Sequence, residues 1–305
     1  MIKTYFYTTI ILIAQAYARI RIGLRVFEKN EKGGAMRASG DFHLHTTASD
    51  GRCSIVSHAK KADEMGLDAI AITDHGFAST IFHMTKKKFD KQQSEIAALD
   101  CKAQVLHGVE GNLVNTHGDI DIPADIVRRC DVLIVGFHRY IGFKGEKRGG
   151  YDRKWLFENG FCGIKTRQKL KELNTAAYIK ALDKFPIDTL AHLNHRALID
   201  VKKVAQKAKE VGAYMELNEK HIDALEEFAD DLRDSGVNFV VGTDAHDTKK
   251  TGKIDKIVDF LSRHAIDEKR VFGINGNAPK FKDKKEWCEN GFEDIISTRS
   301  KVFKE

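Results

Sequence analysis

The amino-acid sequence predicts an α/β fold built from parallel βα units that approach a barrel. From residue 41 onward, short runs rich in β-branched residues alternate with segments of helical periodicity, as in parallel sheets covered by helices. Seven such pairs come close to the number that closes a barrel. The predicted strands span residues 41–46, 68–73, 104–110, 131–137, 188–193, 213–218 and 238–243. The predicted helices span residues 55–66, 80–100, 123–130, 167–184, 200–211, 222–235 and 253–265.

Glycines support these boundaries. Gly66, Gly212 and Gly236 each follow a helical segment and precede a strand, where a left-handed residue commonly ends a helix. The chain has 305 residues, 42% hydrophobic and 31% charged, which is ordinary for a globular protein. Because α/β barrels of about 250 residues form single domains, we predict one barrel domain over residues 36–305. The segment VFGING at 271–276 is a candidate further strand.

The first 35 residues are predicted to be an extension that precedes this domain. Residues 1–18 contain a lysine, an apolar run and the sequence AQA, so they resemble a secretory signal peptide. A second interpretation is that translation starts at Met36, because codons for residues 32–36 can contain a purine-rich ribosome-binding sequence. A third is a peripheral helix without a functional role.

Positive charge is concentrated in two segments. The formal net charge is +6, but residues 1–40 carry seven Lys/Arg and two Glu, so the rest of the chain is nearly neutral. Net charge therefore does not indicate a nucleic-acid partner. Residues 139–171 hold ten Lys/Arg against three acidic residues, and 139–166 lacks periodicity. We predict a basic insertion at about 139–170, which is either a lid that gathers phosphate or a solvated loop.

Histidines and carboxylates recur at the ends of the predicted strands. In DFHLHTTASDG, His43 and His45 point to the same side because strand residues alternate. Two such imidazoles can bind one metal ion. Functional residues of α/β barrels cluster where strands end, and later strand ends contribute His75, Glu110, His138, His192, Asp244 and His246. The sequence thus predicts a metal site assembled from the whole barrel.

Six motifs, taken together, resemble those of a known superfamily. DFHLHTTASDG, AITDHG, GVEGN, GFH, AHLNH and GTDAH follow one another along the chain. In this order they resemble the PHP (polymerase and histidinol phosphatase) superfamily over about residues 40–250. The resemblance implies a distorted (β/α)7 barrel, with a metal site at the C-terminal ends of its strands, and a stand-alone metal-dependent phosphoesterase.

The resemblance also implies two or three divalent metal ions. One ion would be held by His43, His45, Glu110 and Asp244. A second would be held by Glu110, His138 and His192, and a third by Asp50, His75 and His246. Some bacterial phosphatases of the superfamily have a histidine near the turn where this chain has Asp50. Imidazole and carboxylate ligands favour Zn²⁺, Mn²⁺ or Fe²⁺ over Mg²⁺ or Ca²⁺. We interpret Asp74 as a partner that steadies a metal-bound histidine.

Such a centre predicts hydrolysis of a phosphoester. Two metals about 3.5–4 Å apart lower the pKa of a shared water, and the resulting hydroxide can attack phosphorus opposite the leaving group. Glu110, Asp244 and His246 are the predicted catalytic residues, with Asp244 or His246 passing a proton to the leaving oxygen. Contacts with the substrate phosphate are assigned to Arg139, His195 and Arg196.

The expected partner is a phosphorylated small molecule, because the barrel carries no polymerase or nucleic-acid module. A phosphodiesterase or 3′–5′ exonuclease is the alternative, since the same centre supports it and the basic insertion favours it. Further alternatives are a noncatalytic metal-binding domain and a hydrolase of nonphosphate esters or amides. Five widely spaced cysteines without a C-x-x-C motif are typical of reduced thiols, so a cytoplasmic location without membrane association is expected.

Overall fold

The computed structural model describes residues 36–138, 141, 152–161 and 167–285, in which eight parallel strands form one sheet in sequential order. The strands are Gly40–Leu44 (β1), Ala69–Ile72 (β2), Gln104–Asn112 (β3), Val132–Gly136 (β4), Thr189–Leu190 (β5), Tyr214–Asn218 (β6), Phe239–Gly242 (β7) and Val271–Phe272 (β8). The helices are Ile55–Met65 (α1), Lys86–Ala97 (α2), Ala124–Val127 (α3), Arg153–Phe161 (α4), Arg167–Lys184 (α5), Val201–Glu210 (α6), Ala229–Ser235 (α7) and Asp255–His264 (α8). Two 3₁₀ helices span Ile222–Phe228 and Glu268–Arg270.

The sheet nearly closes on itself. The end of β1 lies beside the residues that follow β7, because the N–H group of His45 donates to the carbonyl of Ala245 over 3.0 Å. The start of β1 lies beside β8, since the N–H groups of Ser39 and Gly40 donate to the carbonyl of Gly273 over 2.8 and 3.0 Å. The predicted barrel of alternating strands and helices is confirmed, and β8 in VFGING adds a short eighth strand.

Several elements differ from the predicted boundaries. The helices predicted over 80–100 and 123–130 are shorter, at Lys86–Ala97 and Ala124–Val127, and the one predicted over 222–235 is divided into a 3₁₀ helix and α7. Strand β5 has two residues rather than six, because left-handed φ angles of 29° at His192 and 61° at Asn194 end its pairing. The stretch predicted to be irregular contains α4. The carboxylate of Asp152 accepts the N–H of Trp155 over 3.0 Å at the start of this helix, and the indole of Trp155 donates to Asn174 of α5 over 2.7 Å. These two contacts explain why a helix forms there.

Apolar side chains fill one end of the barrel and leave the other end to polar groups. Phe42, Ile134 and Val240 are buried in one cluster drawn from several strands. The ring of Phe281, which follows β8, packs edge-on against Phe42 with 5.5 Å between the ring centroids. The segment that follows β8 thus packs at this apolar end. The polar side chains lie at the opposite end, beyond the C-terminal ends of the strands.

Several of the predicted segments lie outside the described residues. They are the extension at 1–35, most of the basic insertion including Arg139, and residues 286–305. A bilayer crossing would need a longer and more apolar helix than any in the described part of the chain.

Candidate active site

The nine predicted metal ligands converge at the C-terminal ends of the strands, around the carboxylate of Glu110 on β3. This carboxylate is fully buried and five imidazoles surround it. Its oxygens lie 2.8 Å from Nε2 of His192, 2.9 Å from Nδ1 of His75, 3.3 Å from Nε2 of His138, 3.4 Å from Nε2 of His43 and 3.6 Å from Nε2 of His45. Glu110 therefore contacts side chains from four parts of the barrel, since His43 and His45 both belong to the end of β1.

The potential ligand atoms form three overlapping groups, and within each group the atoms lie within 4.8 Å of one another. The first group is His43, His45 and Asp244; the second is His75, Glu110 and His138; the third is His45, Asp50, His75 and His246. The grouping shares most members with the three predicted ligand sets. It differs in that Glu110 is absent from the first group, His75 joins the second and His45 joins the third. His192 contacts Glu110 without belonging to a group.

Hydrogen bonds fix the outer nitrogen of three of these imidazoles. In each case the Nδ1–H group donates to an oxygen on the outer side of the ring. This hydrogen bond orients the ring so that Nε2 points towards the other proposed ligands. The pairs are His43 with Glu216 at 2.7 Å, His138 with Asn112 at 2.6 Å, and His246 with the backbone carbonyl of Asp244 at 2.9 Å. Metal-bound histidines are held in this way, because the outer hydrogen bond sets the tautomer and the ring orientation.

The electrostatics of the site are dominated by the opposed charges of carboxylates and imidazoles. Burial acts to raise the pKa of Glu110, but the charges of His138 and His43 outweigh it and hold that pKa well below its ordinary value. Burial acts to lower the pKa of His75, but the carboxylates of Glu110 and Asp50 raise it to about 10. For His45, burial and the neighbouring His75 and His43 lower the pKa. In the absence of another cation, protons on some imidazoles balance the carboxylates.

The donor set fits divalent metal ions. The Nε2 atoms of His43 and His45 lie 3.0 Å apart, so two imidazoles face each other across a gap that a shared cation can bridge. Two buried ring nitrogens at the site make no hydrogen bond, Nδ1 of His45 and Nδ1 of His192. Each such atom costs about 1–3 kcal/mol when it stays unpaired. Nitrogen and carboxylate oxygen donors of this kind suit Zn²⁺, Mn²⁺ or Fe²⁺.

Two glycines of the sequence motifs make room for these side chains. A Cβ atom on Gly136, in GFH, would lie 2.7 Å from Cε1 of His192. A Cβ atom on Gly242, in GTDAH, would lie 2.7 Å from Cβ of His43 and closer still to Oε1 of Glu216. These motifs therefore require glycine for close packing against the site.

The backbone is strained where it carries several of these groups. His192, Arg196 and Asp244 have positive φ angles of 29°, 73° and 51°. Such conformations cost about 1–3 kcal/mol each in residues other than glycine, and they are typical of functional sites. The two strained ligands, His192 and Asp244, are thus held in their positions against a local conformational preference.

The interpretation of Asp74 as a partner of a metal-bound histidine is wrong. Its buried carboxylate accepts the N–H and the hydroxyl of Thr46 at 2.7 and 2.6 Å, the hydroxyl of Ser49, and the amide of Gln92 at 2.6 Å. Asp74 therefore anchors the turn that carries Asp50 into the site, because local N–H and hydroxyl donors occupy both of its oxygens.

Lys220 is a site residue that the sequence motifs do not reveal. Its ammonium group lies 3.2 and 3.3 Å from the two carboxylate oxygens of Asp244. In the structure, His138, His192, Lys220 and Asp244 each lie two residues beyond the end of their strand, an offset that the predicted strand ends at 137, 193 and 243 do not give. This offset places a side chain at the rim of the barrel end.

The site opens into a cleft of about 380 Å³, whose lining includes His195, Arg196, Lys220 and His221. The rings of His195 and His221 stack with 3.8 Å between their centroids. Burial lowers their pKa values, to about 4 for His195 and about 3 for His221. Both rings are therefore neutral near pH 7, and Nε2 of His195 accepts a hydrogen bond from Nε of Arg196 over 2.8 Å. Lys220 and Arg196 supply the positive charge on this side.

The fold and the site define the class of protein: a parallel α/β barrel with a cluster of metal-ligating side chains where its strands end. The chain belongs to the PHP domain family, whose family model matches residues 41–303. The resemblance inferred from the six motifs is thereby confirmed.

Curated relatives and a solved structure are similar over most of the chain. A probable phosphatase of Acetivibrio thermocellus is 28% identical over 254 residues, which cover 79% of this chain and 92% of the relative. A probable phosphatase of Vibrio campbellii is 28% identical over 257 residues, which cover 81% and 92%. The structure of a histidinol phosphate phosphatase from Lactococcus lactis, complexed with zinc, L-histidinol and phosphate, matches with a TM-score of 0.54 and 15% identity. That match covers 81% of this chain and 98% of the other, and it shows a shared fold.

Proposed function

We propose that the protein is a metal-dependent phosphatase that hydrolyses a phosphomonoester of a small molecule. The observation that carries this proposal is the convergence of five imidazoles on the buried carboxylate of Glu110. Membership of the PHP domain family supports it, as do the relatives named probable phosphatases and the fold shared with a histidinol phosphate phosphatase.

We infer that two or three divalent ions, Zn²⁺, Mn²⁺ or Fe²⁺, bind among the nine proposed ligands. The three groups of ligand atoms support this number, and the nitrogen-rich donor set supports these metals. When bound, such ions lower the pKa of a shared water and neutralise charge on the phosphate oxygens. The residues of the chain would hold the ions, and binding would displace the protons that imidazoles such as His75 otherwise carry.

Three residues are proposed as catalytic, each with a different position. The carboxylate of Glu110 lies at the middle of the cluster and contacts three imidazoles that belong to the other two groups, those of His43, His45 and His75. The carboxylate of Asp244 forms an ion pair with Lys220 on the side that faces the cleft. The ring of His246 is 27% exposed and lines the cleft; it would pass a proton to the leaving oxygen through Nε2, when no metal is bound to that atom, because Nδ1–H donates to the carbonyl of Asp244.

A small substrate agrees with the cleft better than a nucleic-acid strand does. The cleft has a volume of about 380 Å³, which suits a small molecule. The described wall of the cleft carries two fixed cations, Lys220 and Arg196, whereas a protein that binds a nucleic-acid strand places a row of cations along that strand.

A noncatalytic domain is disfavoured because all nine proposed ligands converge. The free thiols of Cys53, Cys101 and Cys130 support a cytoplasmic location.

Metal removal tests the proposed function. We expect the protein treated with a chelator to lose hydrolysis of phosphomonoesters, and expect Mn²⁺, Zn²⁺ or Fe²⁺ to restore it, because the imidazole nitrogens need a borderline metal. Elemental analysis of the active protein should give two or three such ions per chain. Ca²⁺ is the control and should not restore activity. Full hydrolysis by metal-free protein, or no hydrolysis of any phosphomonoester by loaded protein, would contradict the proposal.

Replacement of Lys220 by methionine tests the cationic side of the cleft. We expect KM for a phosphomonoester to rise by about tenfold or more, because a charge-assisted hydrogen bond contributes about 1.5–3 kcal/mol, while kcat changes less. Steady-state kinetics at saturating metal measures both. Lys285→Met, in the segment after β8, is the matched control and should leave KM unchanged. An unchanged KM in Lys220→Met would show that Lys220 does not contact the phosphate.

A further inference from the structure

The cleft has an apolar side that the proposed chemistry does not use. Ile81 and Phe82 line the cleft in the loop after β2, and Ile141, after β4, is bridged to this loop by backbone pairing with Ser79. Lys220 lies after β6, four strands from β2 in the eight-stranded sheet. Because strands four apart in such a barrel lie across from each other, the apolar side faces Lys220 across the mouth of the site.

Ile81 and Phe82 are unusually exposed for large apolar side chains. Ile81 is 72% exposed, more than any other large hydrophobic residue in the described part of the chain, and Phe82 is 42% exposed. Exposed apolar residues that occur singly need no explanation, whereas adjacent ones that line a cleft mark binding surfaces. The exposure of this pair therefore indicates a ligand with an apolar surface.

The loop that carries this pair is held to the barrel at both ends. The N–H of Ala78 donates to the carboxylate of Asp121 over 2.6 Å, and the N–H of Met84 donates to the carbonyl of Gly76 over 3.0 Å. Met84 itself is buried. Ile81 and Phe82 are thus presented from a tethered loop at a fixed edge of the cleft.

We infer that the substrate of this enzyme is a phosphomonoester whose leaving group has an apolar face, which packs against Ile81 and Phe82. The inference rests on the proposed function and names its substrate class. The two sides of the cleft are complementary to such a molecule: Lys220 and Arg196 attract the phosphate, and the opposite side offers hydrocarbon to the alcohol portion. Neither Ile81 nor Phe82 has a side-chain hydrogen-bond donor or acceptor, so a polyol leaving group gains little there.

The test compares esters whose alcohols have similar leaving ability, so that chemistry does not obscure binding. We use 2-phenylethyl phosphate, ethyl phosphate and glycerol 1-phosphate on the metal-loaded protein. We expect kcat/KM for 2-phenylethyl phosphate to exceed that for ethyl phosphate by about tenfold or more, given the discrimination typical of apolar pockets. Phe82→Ser should remove most of this preference, by lowering kcat/KM for 2-phenylethyl phosphate more than kcat/KM for ethyl phosphate. Phe157→Ser, an exposed phenylalanine outside the cleft lining, is the matched control.

Binding provides a second measurement that does not depend on turnover. Benzylphosphonate, which cannot be hydrolysed, should bind the loaded protein more tightly than methylphosphonate, and Phe82→Ser should reduce this difference. Equal kcat/KM values for the phenylethyl and ethyl esters, or a Phe82→Ser variant that keeps the preference, would overturn the inference and leave the proposed function intact. If Phe82→Ser raised kcat/KM equally for all three esters, another part of the chain would cover the apolar side of the cleft. That result would also overturn the inference. If loaded protein hydrolyses none of the three esters, the proposed function itself fails.

Discussion

Replacement of Glu110 by glutamine is expected to lower kcat/KM for phosphomonoesters by about a thousandfold, a loss at the upper end of that caused by removing one charge-stabilising group from an active site. The carboxylate oxygens lie 2.8 Å from His192, 2.9 Å from His75 and 3.3 Å from His138. Glutamine keeps the shape of the side chain but removes its negative charge, and its amide nitrogen cannot bind a metal. We therefore expect fewer metal ions per chain as well.

Elemental analysis and steady-state kinetics on the same preparation measure both effects. Glu219→Gln is the matched control, because Glu219 lies just beyond β6 but faces away from the ligands. Its two oxygens accept the N–H groups of Lys256 and Ile257, each over 3.0 Å, at the start of α8. This control should keep its metal content and activity. If Glu110→Gln retained full metal content and wild-type hydrolysis, the proposed centre would be wrong.

The main features of the fold are accessible from sequence because local patterns determine them. Strand β1 combines alternation with two histidines, and the Nε2 atoms of His43 and His45 do meet, 3.0 Å apart. The C-terminal end of α1 is set by Gly66, whose φ of 67° is left-handed as its position predicts. These features depend on neighbouring residues in the chain, so periodicity and turn chemistry suffice to predict them.

The supporting residues depend instead on contacts between distant parts of the chain. Asp121 accepts the side-chain amide of Asn112 over 2.7 Å, and Asn112 in turn accepts Nδ1–H of His138. No motif marks this relay, since Asp121 lies in a segment that reads as a turn. In Asp74, a motif suggests a partner that the structure does not show. Its place in TDH suggests a histidine partner, but the N–H and the hydroxyl of Thr46 donate to its two carboxylate oxygens.

Replacement of Glu216 by glutamine is expected to weaken metal binding by about 10- to 100-fold, the range for residues that orient a metal ligand. One oxygen of this buried carboxylate accepts Nδ1–H of His43 over 2.7 Å. The other accepts the backbone N–H of His192 over 2.7 Å and the side-chain amide of Asn218 over 3.0 Å. A glutamine has only one oxygen for these three donors, so its NH₂ group must face one of them. His43 or the strained His192 is then free to turn away from the site.

If Glu216 acts only by positioning His43 and His192, its replacement should weaken metal affinity without lowering kcat at saturating metal. Competition with a chelator gives the metal dissociation constant, and kinetics across a range of metal concentrations should show kcat returning to near the wild-type value at saturation. Glu226→Gln is the control, since Glu226 pairs with Arg263 on the exposed surface. Thermal unfolding of the metal-free variants separates a general loss of stability from a loss of orientation. An unchanged dissociation constant in Glu216→Gln would contradict the positioning role. A kcat that stays low at saturating metal would also contradict it, because a bound metal ion should itself hold His43 in the correct orientation.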